Sequence, residues 1–350
     1  MAIREVKLGK VATVKGGKRL PKGINLITKP NPHPYIRVRD LNGKKTLELD
    51  GSFEFVDDET QKAISRYIVT GGDIVLSIVG TIGLVSVVGD SLNEANLTEN
   101  CVKLTSLSGI DRDYLYYYLK SSYGQQEIAR GTVGAVQAKL PIKNIQDISI
   151  PLPDEVTQRK IADILSSLDA KIEVNQRIND NLQQQAFSVF DNLIANAENN
   201  DYTVSAYAFL NPKRTLAKNQ VARSIDMSQL STSGAFPSGW EMKPFNGGMR
   251  FTNGDTLLAR ITPCLENGKT AFIDFLDDGE VAFGSTEYIV LAPKNDTPPE
   301  MLYCLARYPA FVDYAVKNMN GSSGRQRVSA ETVGQYRLPL FDKHSLVLFK

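Results

Sequence analysis

"PLPDEVTQRKIADILSSLDAKIEVNQRINDNLQQQAFSVFDNLI" occupies residues 151–194 and has no proline or glycine after Pro153. The two prolines close an apolar, strand-like run and cannot sit inside a helix. Asp154 and Glu155 follow, placing negative charge where a helix start favours it. Apolar residues recur at Ile161, Leu165, Leu168 and Ile172, and again at Leu182, Ala186, Val189 and Leu193, in steps of 4-3-4 each time. Asn175 and Asn179 fall on the same seam, where a polar residue fixes register and partner between paired helices. Glu155–Arg159 and Glu173–Arg177 are favourable pairs one turn apart. The pattern predicts a helix of about 40 residues, rising about 60 Å. A single small domain covers less than that, so the expected role is a rod whose stripe meets another helix.

The sequences on either side of this rod repeat one another. "GDIVLSIVGT" (Gly72–Thr81) has a counterpart in "GDTLLARITP" (Gly254–Pro263). Upstream, "YIRVRDL" (Tyr35–Leu41) is loosely matched by "VARSIDM" (Val221–Met227). Downstream, "ENCVKLTS" (Glu99–Ser106) matches "TEYIVLAP" (Thr286–Pro293), and an amphipathic helical stretch follows in each copy, residues 113–129 and 300–316. Small residues and a glutamine come next, "GTVGAVQAKL" and "GSSGRQRVSA", and each copy closes on an apolar strand, "ISIPLP" and "YRLPLF". A repeat this long is a duplicated domain rather than a solenoid. The expected architecture is α+β: a first domain at 1–153, the helix at 154–198, a second domain at 199–341 and a short remnant at 342–350.

Bulk properties exclude several classes. The chain of 350 residues has no apolar run long enough to cross a bilayer, and "MAIREVKLGK" lacks the apolar stretch of a secretory signal. Cys101, Cys264 and Cys304 have no metal-like spacing and read as reduced thiols of a cytoplasmic protein. With only His33 and His344, no metal site is expected. The net charge of +1 is unevenly spread: residues 1–150 carry 20 basic and 16 acidic side chains, residues 151–200 carry 4 and 8, and residues 201–350 carry 16 and 15. A nucleic-acid surface must therefore be local. Lys15, Lys18, Arg19 and Lys22 form the densest basic stretch. Arg37 and Arg39, Gln137 and Lys139, Lys213 and Arg214, Arg260, and Arg325, Gln326 and Arg327 offer further cations and amides at similar places in the two copies. Lys and Arg hold phosphates, while Arg suits guanine and Gln suits adenine in the major groove.

No catalytic motif survives its context. "NPHPY" (Asn31–Tyr35) resembles an adenine-methyltransferase tetrapeptide with an insertion, but no glycine-rich cofactor loop precedes it. "NGKT" (Asn267–Thr270) resembles the end of a phosphate loop whose first glycine would be Pro263. The nuclease-like set of Asp154, Asp169 and Lys171 falls within the helical segment.

Two diverged repeats joined by "PLPDEVTQRKIADILSSLDAKIEVNQRINDNL" resemble the specificity subunit of a type I restriction–modification system. The opening "VKLGKVATVKGGKRLPKG" is similar to the usual start of its target-recognition domain. The resemblance covers almost the whole chain, and the conserved spacer helix carries most of its specificity. It implies two similar target-recognition domains, each reading half of a bipartite site in double-stranded DNA. It also implies a coiled-coil-like spacer that docks methyltransferase subunits, through the seam Ile161, Leu165, Leu168, Ile172, Asn175, Asn179, Leu182, Val189 and Leu193. S-adenosylmethionine, ATP and magnesium would act in the methyltransferase and restriction/translocase subunits, with no cofactor, catalytic residue or metal in this chain. The family's second spacer helix has no counterpart in "YRLPLFDKHSLVLFK", so a second copy or a half-subunit is expected to supply it. Two other classes compete: a fused or degenerate restriction or methyltransferase enzyme, and an assembly scaffold that never touches DNA.

Overall fold

The computed structural model describes residues 4–41, 43–134, 137–197, 201–322, 324–341, 346, 347 and 349. Its repeated Gly-Asp motif is one turn built twice. The Asp73 carboxylate accepts from the Thr70 amide at 2.9 Å, and Asp255 from Thr252 at 2.8 Å. Each aspartate amide donates back to the same threonine carbonyl, at 2.9 and 3.2 Å. The residue directly before each aspartate is left-handed, with φ of 87° at Gly72 and 84° at Gly254, which an L side chain rarely adopts. The turn launches a fully buried strand, Ile74–Ser77 in one copy and Thr256–Ala259 in the other.

These strands are central to two sheets of the same order. In the first, Thr13–Gly16, Cys101–Thr105, Ile74–Ser77, Val85–Val88 and Thr46–Leu47 lie side by side; in the second, Ala208–Leu210, Tyr288–Pro293, Thr256–Ala259 and Thr270–Phe272 do. Ile74 faces Leu104 and Thr256 faces Leu291, so the downstream repeat aligns as the sequence suggests. A second sheet in each copy contains one parallel pair, Pro34–Ile36 with Asn96–Leu97 and Val221–Ile225 with Ala282–Gly284. Here the structure moves the sequence alignment by three residues. Ile36 corresponds to Ile225, and the turn that follows is closed by Asp40 in one copy and Gln229 in the other. An acid and an amide accept the same backbone bond, which hides the match.

Each amphipathic stretch is two helices, Arg112–Lys120 with Ser122–Gly131, and Pro299–Arg307 with Pro309–Lys317. Pro309 disfavours helical backbone at Tyr308, which is extended. Ser121 is extended and its hydroxyl accepts from the Gly124 amide at 3.1 Å, an N-cap that begins the next helix. A closing strand then pairs antiparallel with the opening strand of its own copy, Ser149–Leu152 with Arg4–Lys7 and Arg337–Leu338 with Tyr202–Thr203.

The chain divides into two compact units, Met1–Val174 and Asn175–Lys350. The long helix runs from Glu155 to Ala195, 41 residues. Asp154 caps it, accepting from the Thr157 amide and hydroxyl at 3.0 and 2.8 Å. In the first unit its packed face carries buried Gln158 and Ala162, with Asp169 accepting from Tyr117 Oη at 2.7 Å. Gln158 donates to the Pro153 carbonyl at 2.9 Å and accepts from the Asp111 amide at 2.7 Å. Residues 171–180 are exposed on every side. In the second unit Phe190 is buried among Tyr308, Phe341 and Phe349, with Ala186, Val189 and Leu193 packed beside it.

The seam is therefore divided. Val189 and Leu193 enter the core of the second unit, and Leu165 is half-buried. Ile161, Leu168, Ile172, Asn175, Asn179 and Leu182 stay exposed. The 4-3-4 spacing marks one stripe, but the first unit takes the neighbouring row through Gln158 and Ala162.

Candidate nucleic-acid interface

The basic stretch of the first unit follows a sheet edge. Lys15 lies on the edge strand Thr13–Gly16, opposite Lys103. Lys18 lies with its ammonium 5.6 Å from the centre of the Tyr67 ring, and its carbonyl accepts from Tyr35 Oη at 2.8 Å. Arg19 extends into solvent and donates through Nε to Glu99 at 2.6 Å. Lys22 is exposed in the turn that follows.

Arg37 and Arg39 sit differently. Both flank Asp40 and Glu54: Arg37 pairs closely with Glu54, while Arg39 reaches Asp40 at 3.5 Å and Glu54 at 3.2 Å. Burial pushes the Asp40 carboxyl up to about 6, against the pull of Arg39. Arg37 is mostly enclosed, with Nε and Nη2 out of reach of solvent. Arg214 is similarly internal: its Nη2 donates to both oxygens of Asp255 at 2.6 Å. Burial raises Asp255 to about 6, opposed by the Thr252 amide and Arg214. Its neighbour Lys213 is exposed.

The remaining candidates converge on one hairpin in each copy. In the first unit Val133 and Lys139 exchange two backbone hydrogen bonds of 2.9 Å, and Lys139 also bridges to Val79. In the second, Asn320 and Arg327 exchange two bonds of 2.9 Å, and Arg327 bridges to Ile261. The Leu140 amide donates to Ile78 and the Val328 amide to Arg260, both at 3.0 Å. Lys139 thus corresponds to Arg327, Gln137 to Arg325, and Ala138 to Gln326. Gly134 and Gly321 each stand under a carbonyl of their own loop, 2.6 Å from where a Cβ would reach Gln137 O and 2.9 Å from Arg325 O. Residues 135, 136 and 323 lie outside the described residues. Arg260 corresponds to buried Ile78, so its charge belongs to the second copy alone.

Sequence reading counted the cations and missed the acids that hold them. Glu99 takes Arg19 and Glu287 takes Arg327. Each acid follows a threonine close before a strand, in "TEN" and "TEY", and that dipeptide was the available signal, although the two stand one residue out of register. Arg327 holds Glu287 below the usual carboxylate range.

The motifs set aside earlier have structural places. Asn31 closes its own loop, accepting from the His33 amide at 2.8 Å and donating to the Val56 carbonyl at 3.0 Å. Burial pushes the Cys101 and Cys304 thiols up to about 12, so neither is a ready thiolate nucleophile. His344 lies outside the described residues. Among the described residues no group of three or more His, Cys, Asp or Glu is placed to hold a metal, and no helix is long and apolar enough to cross a membrane.

Residues 3–184, just over half of the chain, match the family model of the type I restriction modification DNA specificity domain. Among curated proteins, the type I restriction enzyme MjaIX specificity subunit of Methanocaldococcus jannaschii is 25% identical over 159 residues, 45% of this chain and 36% of that protein. The EcoAI specificity subunit of Escherichia coli is 33% identical over 133 residues, 36% of this chain and 22% of that protein. The chain therefore spans about a third and a fifth of the length of these two relatives. A crystal structure of the S subunit of a type I restriction-modification system from M. genitalium shares the fold, with a TM-score of 0.58 at 16% identity over 99% of this chain and 86% of that one.

Proposed function

The chain belongs to the family of type I restriction modification DNA specificity domains, and from that premise we propose that it reads a two-part DNA sequence and carries out no chemistry itself. The observation that supports this best is the paired hairpin. The same scaffold presents Gln137 and Lys139 in one copy and Arg325, Gln326 and Arg327 in the other. In this reading Gln137, Arg325 and Gln326 approach base edges, where amide and guanidinium groups discriminate adenine and guanine. Lys15, Lys18, Lys22 and Lys213, exposed and strung beside the sheets, hold phosphates. Arg37, Arg39 and Arg214 act within their own units, through Glu54, Asp40 and Asp255.

The exposed residues Ile161, Leu168, Ile172 and Leu182 dock methyltransferase subunits. S-adenosylmethionine, ATP and magnesium then belong to those subunits and to a restriction/translocase partner. A second copy or a half-subunit covers whatever part of the stripe the methyltransferase leaves open.

Methylome sequencing of cells that express the chain with its methyltransferase tests this directly. The expected result is a two-part motif containing methylated adenine. Methyl transfer or DNA cleavage that follows the purified chain alone through every step would overturn it.

A further inference from the structure

We infer that Arg327 is a positioning residue for DNA reading by the second unit: with Glu287 it fixes the 320–327 hairpin in the shape that presents Arg325 and Gln326, and it contacts no base itself. The inference rests on the DNA-reading role proposed above and names which residues set specificity within it.

All three guanidinium nitrogens of Arg327 are engaged inside the unit. Nε donates to the two Glu287 oxygens at 3.0 and 2.8 Å, and Nη2 donates to Oε1 at 2.8 Å. Nη1 donates to the carbonyl of Arg325 at 3.2 Å. Glu287 stands directly before the central strand Tyr288–Pro293, and its carbonyl accepts from the Arg260 amide at 3.0 Å. The ion pair therefore ties the base of the hairpin to the sheet, and the Arg327 bond to the Arg325 carbonyl extends the tie two residues further along the loop. Backbone bonds reinforce the tie, with the Thr262 amide donating to Gln326 and the Val328 amide to Arg260, both at 3.0 Å. The carbonyl that Arg327 holds also lies over Gly321, where a Cβ would come within 2.9 Å of it. Arg325 itself ends a turn closed by its amide on Ser322 at 3.0 Å, and its side chain is exposed.

Among the described residues the first unit shows no equivalent brace. Lys139 occupies the bridge position of Arg327, Asn100 stands where Glu287 does, and Glu99 pairs with Arg19 instead. A Lys lacks the planar fork that grips a carboxylate and a carbonyl at once.

Glu287 separates positioning from simple charge. An acid beside a polyanion repels it, so on charge alone Glu287→Gln tightens binding and keeps the sequence preference. On positioning, Glu287→Gln frees Arg327, the hairpin tip loses its shape, and preference is lost. The test selects binders from a library of random-sequence DNA duplexes with the full chain, wild type against Glu287→Gln, Arg327→Lys and Arg325→Ala. Arg325→Ala marks the base pairs read by the hairpin. Glu287→Gln and Arg327→Lys are expected to lower preference at those same one or two base pairs by roughly 5- to 150-fold, the range of one bidentate base contact. The other part of the motif should be retained in all three variants, which also reports that they are folded. Arg327→Lys should leave the salt dependence unchanged, because no phosphate contact is lost. An unchanged motif in Glu287→Gln, loss at positions other than those of Arg325→Ala, or equal loss of both parts overturns the inference. A wild-type chain that enriches no motif refutes the DNA-reading role itself, and this inference with it.

Discussion

Replacing Leu168 and Ile172 together by alanine separates the two faces of the long helix. Both side chains are about half exposed, 52% and 55%. Full burial of a Leu or Ile side chain is worth about 1.5–3 kcal/mol, so a partner that covers the exposed half gains roughly 1.5–3 kcal/mol from the pair. Loss of that contact weakens binding about 10- to 150-fold. Stability of the isolated chain should change by less than about 0.5 kcal/mol, since alanine favours helix and neither side chain belongs to a core cluster. Phe190→Ala is the opposite case. That ring is 1% exposed inside the core of the second unit, and its removal should cost about 3–5 kcal/mol of stability. Titration calorimetry against the methyltransferase subunit and thermal melting of the chain read the two effects separately. Unchanged affinity in the Leu168/Ile172 variant would refute the docking face. A melting loss as large as that of Phe190→Ala would refute the exposed placement of the two side chains.

Three further outcomes are expected. Changing Lys15, Lys18 and Lys22 to alanine should weaken binding on every sequence and lower the log–log salt slope by roughly 2–3, about 0.9 per phosphate contact; an unchanged slope removes this edge from the DNA surface. Lys103→Val leaves the buried Asp73 carboxylate without the ammonium now 3.2 Å away, so the first unit should lose about 3–5 kcal/mol in denaturant titration, and a loss below 1 kcal/mol would contradict the pairing. Asp255 has a folded pKa of about 6 against an ordinary 3.8. Its contribution to stability is therefore full below about pH 4 and lost as pH rises through 6. Asp255→Asn should flatten that part of the stability profile, and an unaltered slope between pH 4 and 6 would assign the proton elsewhere.

The parts legible in the sequence are those with short-range signatures. The long helix announces itself by the absence of Pro and Gly and by the Asp154 cap, and the repeated turn by Gly-Asp after a threonine. What sequence could not supply was the partner of each charge. Arg19 meets Glu99 80 residues away, Arg214 meets Asp255 41 away, and Arg327 meets Glu287 40 away. A basic residue on a surface loop and one buried against a distant acid read alike until the sheet brings the acid in. Helix phase shows the same limit. The row chosen by the first unit contains Gln158, a polar residue that spacing arguments skip, because the Asp111 amide and the Pro153 carbonyl satisfy it inside.

The twin turns carry one more consequence, for inheritance rather than for folding. Asp73 is answered by Lys103, whose counterpart in the other copy is Val290; Asp255 is answered by Arg214, in the loop after the strand Ala208–Leu210. The two copies have kept the acid and moved the base to a different place in the fold. A genetic exchange that carried only the strand Tyr288–Pro293 into the first copy would strand Asp73 without a cation, and the reverse exchange would bury a second cation beside Asp255. Fragments of a unit are thus mutually illegible, whereas an entire unit brings its own counter-charge along. An exchange of a whole unit therefore keeps each acid with its base, whereas an exchange of single strands separates them.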